Sequence, residues 1–102
     1  MNSKNIESYI TDDSSRDNFR KIAKIMNKRL GISFIDVPDI KADYIDYSDT
    51  VYWDFKYKDI LLTLHLEHYT GIMIMHESTT PSKTELETSK EVADKVLAIY
   101  NK

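Results

Sequence analysis

The sequence predicts an α+β fold: an antiparallel β-meander of about four strands, with an N-terminal and a C-terminal helix packed on one face. Three observations carry this. Residues 51–57 and 60–66 alternate with period two on either side of a two-residue gap, as half-buried strands do. Phe19, Ile22, Ala23, Met26 and Leu30 recur at helical spacing. Ser82 and Glu85 form the Ser-x-x-Glu signature of a helix start, and Leu86, Ala93, Val96, Leu97 and Tyr100 supply the apolar stripe behind it. At 102 residues, the chain is expected to form one domain over residues 1–102.

Taken in order, Ile6, Tyr9 and Ile10 suit an early helical turn or a continuation of the first helix. Thr11-Asp12-Asp13-Ser14-Ser15 argues for a break, because each of these residues competes for its own backbone. Ser14 or Ser15 caps the first helix, Asp17 suits its positive end, and Lys28 and Arg29 suit its last carbonyls. Gly31 marks the stop. Residues 32–37 are β-branched and aromatic and are closed by Pro38, which reads as an edge strand. Residues 39–50 read as a linker, or as a short extra strand around residues 44–47.

Joining residues 51–57 to 60–66 through Lys58-Asp59 sets Val51 opposite Leu66, Trp53 opposite Leu64 and Phe55 opposite Leu62, all on one side. A slip of one residue would break every pair. Lys58-Asp59 is a poor type I′ turn, which leaves room for a longer loop of the same parity. Tyr69-Thr70-Gly71 suits a three-residue loop with Gly71 left-handed. Ile72 and Ile74 then join Leu64 and Leu66, while Met73 and Met75 share the opposite face with His65 and Glu67. That second face is either exposed or covered by residues 39–50.

Composition closes several chemistries. There are no cysteines, hence no disulfide, thiolate metal cluster or thiol nucleophile. Two glycines make no phosphate cradle. No run of about 20 apolar residues spans a bilayer, and residues 1–10 lack a signal-peptide form, so a cytoplasmic protein is expected. His65, Glu67, His68 and His76 invite a metal, but His65 and His68 point to opposite faces of a strand and no third ligand stands at fixed spacing. Asp54, Glu67 and His65 could be imagined as acid and base, yet no serine lies in a nucleophile elbow. The expectation is no catalysis, no metal and no cofactor.

Charge is the informative feature. Residues 16–29 carry Arg16, Arg20, Lys21, Lys24, Lys28 and Arg29 against Asp17 alone. Residues 36–54 carry Asp36, Asp39, Asp43, Asp46, Asp49 and Asp54 against Lys41 alone, interleaved with Tyr44, Tyr47, Tyr52 and Trp53. Tyrosines are rigid anchors with a polar tip, and aspartates around them attract a cationic partner. Asp43, Asp46, Tyr47, Asp49, Tyr52 and Asp54 are accordingly expected to form a patch facing a basic protein. Three other readings stand beside this one. The segment is a solvated loop answering the basic helix; the basic helix binds nucleic acid, against a pI of 5.5; or the His65 face serves a small enzyme or ligand-binding domain.

In size, charge and Tyr/Asp patterning over residues 36–54, the chain resembles the small acidic immunity proteins that bacteria make against nuclease toxins. It is similar in the same respect to phage inhibitors that mimic DNA. The resemblance implies a monofunctional inhibitor encoded beside its toxin, binding the toxin's basic groove without a cofactor. The stock of Lys, Ile, Asn and Tyr fits an AT-rich bacterial coding sequence.

Overall fold

The computed structural model describes residues 8–35, 50–67, 70–76, 80 and 82–101. Its elements run β1 (Tyr9–Thr11), α1 (Arg16–Leu30), β2 (Thr50–Tyr57), β3 (Ile60–Glu67), β4 (Gly71–His76) and α2 (Lys83–Tyr100). The described strands form one antiparallel sheet in the order β1-β4-β3-β2. This is the α+β architecture that the periodicities predict.

The central hairpin has the register its alternation requires. Val51 lies opposite Leu66, Trp53 opposite Leu64 and Phe55 opposite Leu62, and all six are buried. The turn is no longer than Lys58-Asp59, despite its unfavourable residues. Both adopt positive φ, 54° and 66°, as a type I′ turn demands at its two central positions. Full pairing up to Tyr57 and Ile60 leaves the turn no slack.

Trp53 organises the core. Its ring meets Phe19 of α1 edge-on at 5.0 Å and Phe34 at 5.5 Å, and Phe34 meets Phe55 at 5.7 Å. Phe19, Ile22, Ala23 and Met26 bury the inner face of α1, while Val92, Ala93 and Val96 bury that of α2. Both helices therefore cover the Trp53 side of the sheet. Tyr100 Oη joins them by donating to Asn18 Oδ1 at 2.8 Å. Ser15 Oγ accepts from Asn18 N, and Gly31 closes α1 at φ 70°. Ser82 and Glu85 complete a reciprocal capping box at the start of α2.

Two local expectations are corrected. The helical turn expected around Tyr9 and Ile10 is instead strand β1, with Tyr9 opposite Met73; Ile6 lies outside the described residues. Tyr9 and Ile10 fit a helical spacing and a strand equally, and the free edge of β4 decides between them. Ile10 is thereby buried on the helix side, where Ser8 Oγ and Ser89 Oγ of α2 lie 2.7 Å apart. Of the strand expected over residues 32–37, the described part makes a single bridge, Phe34 to Phe55. Ile32 is held to α1 instead: its N–H donates to Met26 O, and its carbonyl accepts from Asn27 Nδ2.

Gly71 also differs from expectation. Glu67 pairs with Gly71, so Gly71 opens β4 instead of belonging to the loop before it. Its φ of 137° lies outside the left-handed helical well, in a region essentially restricted to glycine. A Cβ there would run into Thr11 O and lie 2.8 Å from Tyr9 Oη and 2.9 Å from Asp12 Cα. Glycine is what lets β1 approach.

Candidate functional site

The site lies on the sheet face turned away from the helices, at the β2 side. Successive side chains of a strand point to opposite faces, so burying Val51, Trp53 and Phe55 turns Tyr52 and Asp54 outward. Register places His65 opposite Tyr52 and Thr63 opposite Asp54. Tyr52 and His65 stack with ring centroids 4.4 Å apart and planes inclined by 17°. Tyr52 is nevertheless 60% exposed, while His65 beneath it is 4% exposed. Asp54 Oδ1 accepts from Thr63 Oγ1 at 2.6 Å.

His65 is pinned through both ring nitrogens. Nδ1 lies 3.2 Å from the Val51 carbonyl and Nε2 lies 3.1 Å from Glu67 Oε1. Both neighbours are oxygen acceptors. With both nitrogens engaged, His65 offers neither a free base nor a free ligand atom. It acts as a fixed floor for the Tyr52 ring.

A second exposed apolar side chain joins this face. Phe34 bridges Phe55 on the core side, and Ile35 N donates to Asp54 O at 2.8 Å. Ile35 therefore stands beside Asp54 and points outward with it, 42% exposed. Ile35 and Tyr52 are the large hydrophobic side chains exposed among the described residues, and they flank one aspartate. Further into the sheet the same face closes over: Thr63, His65 and Met73 are buried, and Met75 is half-buried.

Of the expected patch, the structure brings Tyr52 and Asp54 together. Asp43, Asp46, Tyr47 and Asp49 lie outside the described residues. Charge patterning did not point to Ile35 or Glu67, which stand on the same face. The placement of Ile35 depends on which residue bridges β2, and no local pattern encodes that. Glu67 was legible from hairpin parity alone.

The basic residues form a separate surface on α1. Lys21, Lys24, Lys28 and Arg29 line a groove of about 550 Å³ with Ile25. Arg20 pairs with Asp17 at 3.0 Å, and Lys21 Nζ sits 5.1 Å from the Tyr100 ring centroid. No helix among the described residues is long and apolar enough to cross a membrane. Compared with protein-family models, curated proteins and solved structures, the chain matches none of them.

Proposed function

We propose that this chain is a non-enzymatic binding protein that neutralises a basic protein partner through the outward face of β2. The partner is a toxin domain encoded beside it, and a nuclease in the fullest form of the reading. One observation carries the proposal: the exposed Ile35 and Tyr52 converge around Asp54 on an otherwise closing sheet face. An exposed tyrosine on a fixed floor loses little rotamer freedom on binding, which suits an anchor. The aspartate-rich residues 36–49 join this face at both ends in sequence, and their charge would steer a cationic partner toward it.

The test is co-expression with the product of the adjacent gene, followed by affinity measurements on variants. Tyr52→Ala should weaken the complex by about 30-fold, the loss of a hot-spot side chain. Asp54→Lys should mainly slow association, and more so at low salt. A neighbour that does not bind, or folded variants that bind as wild type, would overturn the reading. The groove on α1 favours a second reading, a polyanion held by Lys24, Lys28 and Arg29. Duplex DNA binding that is lost in Lys24→Glu/Lys28→Glu would establish it instead.

A further inference from the structure

We infer that Tyr52 is an arginine-stacking anchor that selects a guanidinium over an ammonium in the partner. This rests on the docking reading above and names the group that occupies its centre. One face of the Tyr52 ring is taken by His65, whose two nitrogens are tethered to Val51 O and Glu67 Oε1. Those contacts hold the His65 ring, and stacking on it lays the Tyr52 ring flat with its other side turned to solvent.

Carboxylates stand on both sides of it. Asp54 follows Tyr52 by two residues on the same strand face, about 7 Å along. Glu67 lies diagonally across the β2–β3 pair, opposite Thr50, which is also within reach of a long side chain. Asp54 uses Oδ1 for Thr63 and Glu67 uses Oε1 for His65. No described side chain bonds the second oxygen of either, and the Glu67 side chain is 44% exposed. Lys56, the cation of this face on β2, lies beyond Asp54 on the side away from Glu67.

An aromatic plane between two carboxylates matches arginine. The guanidinium is planar and weakly hydrated, stacks on aromatic faces, and turns donors sideways toward carboxylate oxygens while it does so. A lysine ammonium is a strongly hydrated point charge that gains from the carboxylates but has no plane to stack. General attraction to residues 36–49 acts on both cations alike. The part of the affinity ratio that Tyr52→Leu removes therefore measures the stack on Tyr52.

The experiment titrates tetra-arginine amide and tetra-lysine amide into the full chain, isotope-labelled on backbone nitrogen and aromatic carbon, at low salt. The tetra-arginine peptide should bind about threefold tighter, the size of an exposed cation–π contact, and should shift the Tyr52 ring signals. Tyr52→Leu should remove this preference with the amide spectrum otherwise retained, and Glu67→Gln should weaken both peptides. Equal affinities in the wild type, or a preference that survives Tyr52→Leu, would overturn the inference. The neighbouring gene's product separates it from the docking reading. Partner binding through Tyr52 without arginine preference refutes the stacking alone; arginine preference without partner binding refutes the docking alone.

Discussion

Replacing Gly71 by alanine should unfasten β1 from the sheet, and the size of the effect can be worked from the geometry. At φ 137° an L-residue is strained by about 1–3 kcal/mol. The new Cβ would also collide with Thr11 O and crowd Tyr9 Oη and Asp12 Cα; these are backbone and a hydrogen-bonded hydroxyl, so β1 must move. Its movement exposes Ile10, now 6% exposed, at about 1.5–3 kcal/mol. It also strains the bond from Tyr9 Oη to Thr70 O. Partial relief of one cost by the other leaves a loss of about 2–5 kcal/mol, a large share of the roughly 5–15 kcal/mol that stabilises a domain. Urea unfolding measures the loss, and a double-mutant cycle with Ile10→Ala identifies its cause. If alanine displaces β1, the Ile10→Ala penalty shrinks in the Gly71→Ala background, because the isoleucine is already partly exposed. A Gly71→Ala variant within about 0.5 kcal/mol of wild type, or strict additivity in the cycle, would refute this reasoning.

Three further outcomes follow from the packing and the charges. Leu64→Ala, fully buried between Trp53 and Ile74 in the register, should cost about 2–5 kcal/mol by chemical denaturation. Asp59→Gly should stabilise by about 0.5–1 kcal/mol, since relief of a left-handed residue exceeds the added unfolded-state freedom of glycine. The hydrogen bond from Lys58 holds the Glu91 carboxyl below its ordinary value of 4.5, with the Lys58 and Lys95 charges assisting and desolvation opposing. A depressed folded value stabilises above the unfolded one and is lost as pH falls through the folded one. The melting-temperature gap between wild type and Glu91→Gln should therefore be constant above pH 4.5 and close on further acidification.

The sheet was legible wherever a pattern repeated. Eight consecutive pairs from Thr50–Glu67 to Tyr57–Ile60 follow from one alternation, and both long helices announce themselves through Ser15, Gly31, Ser82 and Glu85. Short pieces were not legible. Three residues of β1 carry no period, and their pairing with β4 is a contact across some 60 positions that local spacing cannot encode. The single bridge of Phe34 hid Ile35 for the same reason. Strand parity was enough to put Tyr52 and Asp54 on the same side of the sheet. It could not show that His65, weighed as a ligand or base, serves as the buried floor under Tyr52. That role depends on the Val51 carbonyl and Glu67 reaching its two nitrogens.

Docking of a basic partner on the outward face of β2 can be read by mapping amide and aromatic shifts of the labelled chain with and without the adjacent gene's product. The changes should centre on Ile35, Tyr52, Asp54 and Glu67, with Lys24, Lys28 and Arg29 of α1 unmoved. Changes centred on those three cations, with the Tyr52 ring signals unaltered, would contradict it.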